Sequence, residues 1–254
     1  MHKRSRIIPV VILIAAFSFL GYKLYNVQTQ IAAPLKATLE ELAKNNLRLI
    51  ANLEFDDPQA IKGMKEKVFR GKTKYEIIVD KDKGNSLKAI SKGTSSLLYT
   101  EVDIDMNVTQ PILTWEWKVL EFPSEKKLKS LAAKSDNDYA GRVYAMFKGS
   151  NVFNSEVIQY VWDDHYEVGD WDSSPYSKNV RIMVVQKGFK SDGGWASHVR
   201  NVASDYRMLF GKEPDKPLSA IGLMSDSDNT RTQSGMLFSH IRLEALDSDD
   251  GING

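Results

Sequence analysis

Three carboxylates recur at every second position from Glu101 to Asp105. Because side chains alternate between the two faces of a strand, Glu101, Asp103 and Asp105 are expected to share one face. Retaining glycosidases use two carboxyl groups about 5 to 5.5 Å apart, so this group allows a glycoside hydrolase or lyase. A solvated strand face explains the same alternation without chemistry, and we favour that interpretation.

A second set of charged residues is divided between two distant segments of the chain. Arg142 begins a predicted strand on the face that also carries Tyr144 and Met146. If this face is buried, the guanidinium requires a carboxylate partner. The candidates for this partner are Asp138, Asp226 and Asp228. Such a network can be purely structural or can form the polar floor of a ligand pocket.

The five tryptophans all fall between residues 115 and 195. Trp115 and Trp117 share one face of a predicted strand, where they form either the core or a ligand platform. Tyr160 and Trp162 lie on another strand, which ends in an acidic loop. We favour the core role for Trp115 and Trp117. If the protein binds a glycan, however, we predict that Trp162 or Trp117 is partly exposed within reach of Asp138, Asp226 or Asp228, since large rings stack on sugars.

Two acidic segments could hold a calcium ion through loop oxygens. The segment 225–230 alternates oxygen-bearing side chains, although it lacks the glycine and the distal glutamate of an EF-hand. Four further candidates are Asp163, Asp164, Asp170 and Asp172. We expect no other cofactor, because the four histidines are scattered and the absence of cysteine excludes thiol nucleophiles and cysteine-ligated metals.

Charge and the N-terminal residues bear on partners and location. The 34 basic and 33 acidic residues give a net charge of +1, so we expect no nucleic-acid partner. Lys3, Arg4 and Arg6 precede an apolar run over residues 7–22, which is typical of an export signal or a signal anchor. We predict that residues 1–24 form an uncleaved anchor in the inner membrane and that the remainder is periplasmic; a cleaved signal peptide is the alternative.

Apolar periodicity divides the rest of the chain into elements. Helical spacing predicts an amphipathic helix over residues 34–50, within a helix and linker segment 25–50, and a second helix over 196–210. A period of two predicts nine strands, 75–79, 87–90, 97–106, 112–119, 142–147, 157–162, 180–186, 220–224 and 236–243. Turn-rich connections favour antiparallel pairing, so we predict an all-β, jelly-roll-like antiparallel β-sandwich over residues 51–247 and a polar tail over 248–254.

Several motifs follow one another in a recognisable order: Trp-Glu-Trp-Lys at 115–118, Asp-Asn-Asp-Tyr-Ala-Gly-Arg at 136–142, Tyr-Val-Trp at 160–162, the stretch 195–211 and Leu-Met-Ser-Asp-Ser-Asp-Asn at 223–229. Over residues 50–246 the chain resembles the bacterial family called domain of unknown function 3047. The resemblance implies an exported β-sandwich and no established activity. Asn137 stands where the family has an aspartate, which weakens a two-carboxylate site there.

These observations favour a non-catalytic module that binds a glycan or another cell-envelope polymer. In this hypothesis aromatic rings stack on the ligand and the Asp/Arg network orients its hydroxyl groups. The expected binding residues are Trp117, Asp138, Arg142, Tyr160, Trp162, Asp226 and Asp228. The alternatives are a glycoside hydrolase or lyase with a carboxylate pair and a structural or assembly protein of the cell envelope.

Overall fold

The computed structural model describes residues 47–57, 60–124, 126–149, 155–190 and 194–246. The predicted membrane segment, residues 34–46 of the predicted helix and the polar tail lie outside the described residues. Within the described part of the chain, no helix is long and apolar enough to cross a bilayer.

The described residues form thirteen strands and one α-helix. The strands are β1 (Leu47–Leu53), β2 (Lys65–Arg70), β3 (Lys74–Asp80), β4 (Gly84–Lys92), β5 (Ser95–Ile104), β6 (Gln110–Glu121), β7 (Gly141–Phe147), β8 (Glu156–Asp163), β9 (Trp171–Ser174), β10 (Ser177–Lys187), β11 (Ala196–Asn201), β12 (Leu218–Met224) and β13 (Gln233–Leu246). The helix is α1 (Val202–Phe210). Two short 3-10 helices cover Ala60–Gly63 and Lys134–Asp136.

The strands form two sheets, which makes the described domain a β-sandwich. One sheet has six strands in the order β11-β6-β13-β4-β3, with β1 paired to β13. The other has seven, in the order β2-β5-β12-β7-β8-β10-β9. The prediction of wholly antiparallel pairing is wrong at one ladder, because β8 and β10 run parallel. Residues 164–176 supply the long connection that a parallel pair requires.

The core lies between the sheets and is rich in aromatic rings. Trp115 and Trp117 point inward from β6, and Tyr160 and Trp162 point inward from β8. Across the sandwich, the ring centroids of Trp115 and Tyr160 are 5.3 Å apart, and those of Trp117 and Trp162 are 5.6 Å apart. Because large rings bury much apolar surface, these contacts contribute strongly to sandwich stability.

The nine predicted strands are confirmed, whereas both helix predictions need correction. Residues 47–50, at the end of the first predicted helix, belong to strand β1. Residues 196–201 form strand β11, which pairs with β6, and the helix begins only at Val202. The Asn201 side chain caps that helix by accepting the amide of Ser204 at 3.0 Å. Strand pairing therefore outweighs the helical spacing of residues 196–201.

Candidate ligand-binding site

A buried ion pair joins strand β7 to the end of strand β12. The Arg142 Nε donates to Asp226 Oδ1 at 2.8 Å, and its second terminal nitrogen donates to Asp226 Oδ2 at 2.5 Å. The remaining donors reach the backbone oxygen of Asn137 at 2.7 Å and the Gln159 side chain at 2.6 Å. Arg142 therefore has the aspartate partner that the sequence predicts, and the partner is Asp226.

Register decides which aspartate is the partner. Strand β12 lies antiparallel to β7 with Met224 opposite Arg142, so the chain leaves β12 beside the arginine. Asp226 follows two residues later and also accepts the backbone amide of Tyr139 at 3.1 Å. Burial raises the pKa of the Asp226 carboxyl, and the adjacent charge of Arg142 opposes that rise. The bidentate geometry is that of a carboxylate paired with a guanidinium.

Asp138 fixes the loop that follows strand β12. Its buried carboxylate accepts the backbone amide of Asn229 at 3.2 Å, the Asn229 side-chain amide at 3.0 Å and the backbone amide of Thr230 at 2.7 Å. The Asn229 side chain also donates to the backbone oxygen of Asn137 at 3.1 Å. Because these bonds connect buried and surface groups, Asn229 is held rigidly at the surface.

Asp228 is the most accessible of the three aspartates. It is partly exposed, and burial together with the charge of Asp138 raises the pKa of its carboxyl, while Arg142 opposes the rise. Oxygens of Asp138, Asp226 and Asp228 lie within 4.8 Å of one another, a spacing that could hold a metal ion. However, Asp138 and Asp226 already accept protein donors with both oxygens, which favours a structural role over calcium ligation.

The other aspartates proposed for calcium are separated by the fold. Asp163 and Asp164 group with His165, but the buried ammonium group of Lys126 contacts Asp163 and balances its charge. Asp170 accepts the backbone amide of Glu167 at 3.0 Å, as expected in a tight turn. Asp172 accepts the amide of Ser173 at 2.6 Å. Neither belongs to the group around Asp163.

An exposed aromatic ring lies beside the Asp/Arg network. Tyr176 occupies the turn between β9 and β10 and is 57% exposed. Its hydroxyl contacts the Asn229 side-chain oxygen, and the Lys134 ammonium lies 5.2 Å from its ring centroid. Burial and the charges of Asp228 and Asp138 raise the pKa of the Tyr176 hydroxyl. We call Tyr176, Asp228 and Asn229 the Tyr176 site.

The rings predicted for binding lie elsewhere. Trp117, Tyr160 and Trp162 are all fully buried, so the prediction that Trp162 or Trp117 is partly exposed is wrong. Strand alternation places these rings on the inward face. Two of their polar groups form hydrogen bonds there: Trp162 Nε1 donates to the Gly188 backbone oxygen at 2.8 Å, and the Tyr160 hydroxyl donates to Asp205 at 2.8 Å. In the sequence, the feature that could have pointed to Tyr176 as a surface ring is its position in a turn that contains a proline.

The alternating carboxylates of β5 form an ordinary solvated strand face. Glu101, Asp103 and Asp105 are exposed, while Ile104 on the other face is buried. Glu101 pairs with Lys65 at 2.7 Å, with both side chains more than half exposed. The Lys65 hydrogen bond and charge lower the pKa of the Glu101 carboxyl, which is opposite to what a catalytic acid requires. Glu101 is therefore a surface ion-pair partner on a solvated strand face.

Fold and site together define a two-sheet β-sandwich that presents a rigid polar surface beside an exposed ring. The chain belongs to the family described as protein of unknown function (DUF3047), whose model matches residues 62–242. Within the matched residues, Arg142 and Asp226 form the buried pair, Asp138 holds the loop that follows β12, and Trp117 and Trp162 lie in the core. Comparison with curated proteins gives no match.

Solved structures with a similar arrangement are distant. A carbohydrate esterase from the Shiga toxin-encoding bacteriophage phi24B has a TM-score of 0.45 and 11% identity, covering 80% of this chain and 100% of its own. A family 11 carbohydrate-binding module from Clostridium thermocellum has a TM-score of 0.40 and 12% identity, covering 76% and 95%. At such scores the likeness does not extend to ligand or activity.

Proposed function

We propose that this protein is a non-catalytic binding module for a glycan or another hydroxyl-rich cell-envelope polymer, built on a sandwich of jelly-roll type. The observation that carries the proposal is the Tyr176 site: a 57% exposed ring in contact with Asn229, which the buried network holds in place. Sugar rings stack on aromatic faces, and fixed amide and carboxylate groups bind their hydroxyls.

The geometry favours binding over chemistry at this site. Of the three neighbouring aspartates, Asp138 and Asp226 are buried and saturated by protein donors, so only Asp228 can face a ligand. Glycoside hydrolysis requires two accessible carboxyl groups, one acting as an acid. The accessible Asp228 carboxylate and the second lone pair of Asn229 Oδ1, beside the Tyr176 ring, instead suit the recognition of hydroxyl groups as acceptors.

The proposal is tested by affinity gel electrophoresis of the full chain in gels that contain soluble polysaccharides. Tyr176→Ala should weaken binding about tenfold, because an aromatic contact with a ligand contributes on the order of 1 to 3 kcal/mol. Its melting temperature should stay close to that of the parent, since the ring lies at the surface. Parent protein that no soluble polysaccharide retards, and that does not sediment with insoluble peptidoglycan, would refute the proposal.

Phe69→Ala is the matched control for this experiment. Phe69 is 58% exposed, nearly the same as Tyr176, but it lies on edge strand β2. Its removal should leave retardation unchanged. If both variants lose binding equally, the effect reflects general surface apolarity and the Tyr176 site is not specific.

We further propose a periplasmic location, with the inner membrane as the anchoring partner through residues 1–24. The support is the basic cluster before the apolar run in the sequence. Protease added to spheroplasts should digest the sandwich while the inner membrane is intact. Digestion only after the inner membrane is broken would contradict this orientation.

A further inference from the structure

A groove of about 370 Å³, lined by both polar and apolar side chains, lies on the outer face of the six-stranded sheet. Strand β6 forms its floor, because Thr114 and Glu116 alternate with the inward-pointing Trp115 and Trp117. Strands β11 and β13 flank β6 and form the walls, and the turn between β3 and β4 contributes Lys83. We call this groove the hairpin groove, after the β3–β4 turn that contributes Lys83. It shares no residue with the Tyr176 site, which belongs to the other sheet.

A bulge in strand β13 directs a histidine into the hairpin groove. Ser239 pairs with Glu116 but Arg242 pairs with Thr114, so β13 carries one extra residue there. His240 has a φ of 48°, in the left-handed region that residues with a Cβ adopt at a cost. Its Nδ1 lies 2.9 Å from a Glu116 carboxylate oxygen. Glycine would adopt this backbone conformation without strain. Because the chain has a histidine here instead, the strain indicates a function for the imidazole.

Glu116 is the fixed acceptor at the centre of the hairpin groove. Its carboxylate accepts hydrogen bonds from Lys83 Nζ at 2.8 Å and Ser197 Oγ at 3.0 Å. Burial raises the pKa of Glu116, but these hydrogen bonds and the Lys83 charge outweigh it and bring the pKa below its usual range. The second cation, Arg242, pairs with Glu244 at 3.0 Å. The fixed charges around the groove are therefore balanced.

An indole ring is hydrogen-bonded to the same carboxylate that holds the turn of the groove lysine. The Trp195 Nε1 donates to Asp80 Oδ1 at 3.1 Å, and the same oxygen accepts the backbone amide of Lys83 at 3.2 Å. One carboxylate thus holds both the ring and the turn that carries the groove lysine. Trp195 is only partly buried. A partly exposed indole next to oriented donors and acceptors is a surface suited to sugar rings.

We infer that the hairpin groove is a second saccharide-binding site, for an uncharged hydroxyl-rich chain. A sugar hydroxyl both donates and accepts, so one hydroxyl can donate to Glu116 while its neighbour accepts from Lys83 or donates to Nε2 of His240, whose Nδ1 faces Glu116. The balanced charge gives no advantage to an anionic polymer. With the Tyr176 site on the other sheet, one protein could contact two polymer strands, and linked contacts raise overall avidity.

Affinity electrophoresis of the full chain with neutral β-glucan, mannan and xylan tests both sites. Glu116→Gln and Tyr176→Ala should each weaken retardation about tenfold, the effect of losing one charge-assisted or stacking contact. The double variant should show no retardation. Glu121→Gln is the matched control, because Glu121 is an exposed glutamate on the same strand. It should bind like the parent.

His240→Gly separates binding from folding. Glycine adopts the left-handed region without strain, so this variant should melt no lower than the parent yet bind more weakly. If Tyr176→Ala alone abolishes retardation and the groove variants bind normally, the groove inference fails while the proposed function stands. If only the groove variants lose binding, the Tyr176 proposal fails. Retardation by acidic but not neutral polysaccharides through Glu116 would overturn the assigned ligand class.

Discussion

Replacing Arg142 with methionine removes one partner of the buried ion pair. The guanidinium makes five hydrogen bonds, to Asp226, Asn137 and Gln159. Methionine keeps the side chain apolar and of similar length, but it leaves the Asp226 carboxylate with the amide of Tyr139 as its remaining donor. Because an uncompensated buried charge costs about 3 to 5 kcal/mol, we expect a loss of that size in the free energy of unfolding.

The loss should depend on pH in a defined direction. Burial raises the pKa of the Asp226 carboxyl, and the variant lacks the Arg142 charge that opposes this rise. A carboxyl whose folded-state pKa exceeds its unfolded value of about 3.9 destabilises the fold when ionised, and this cost disappears on protonation. The stability difference between parent and variant should therefore be largest at alkaline pH, shrink as the pH falls toward about 7, the raised pKa of Asp226 in the parent, and change little below it.

Urea unfolding of the full chain, followed by tryptophan fluorescence, measures both effects. Arg207→Met is the matched control, because Arg207 pairs with Glu213 on the surface with both side chains well exposed. The control should lose no more than about 1 kcal/mol. If Arg142→Met loses no more than the control, the buried pair contributes no more than a surface ion pair. A pH-independent difference would refute the role assigned to Asp226.

Two further substitutions test the packing. Gly222→Ala should lower the free energy of unfolding by about 1 to 3 kcal/mol in the same assay, because the added Cβ would lie 3.1 Å from the Leu98 backbone oxygen. Gly63→Ala is its control and should change little, since the Cβ there meets open space. Trp162→Ala should lower the free energy of unfolding by about 3 to 5 kcal/mol, because the ring is fully buried. Trp171 is 46% exposed, so Trp171→Ala should lower it far less. Equal losses would contradict the assigned core.

Local sequence patterns predicted most of the strands. Period-two alternation identified β6 because each residue that faces the core alternates with a more polar, less buried neighbour. Strand β2 was missed because its residues, Lys65–Arg70, are all exposed and carry no alternation. Strand β11 was missed because its apolar residues also fit helical spacing. Local residue propensity cannot identify strands such as β2 and β11, because their structure is decided by pairing with neighbouring strands.

The candidate site was only partly accessible to sequence reasoning. The sequence predicted a carboxylate partner for Arg142 on the condition that its strand face is buried, since a buried guanidinium without a partner is too costly. Only the tertiary structure selected Asp226, through the register of β12 on β7, and brought Tyr176 to Asn229 across 53 positions of the chain. It also placed every predicted binding ring in the core. Periodicity reports which faces are buried, whereas register and loop contacts between distant segments arise only when the sheets assemble.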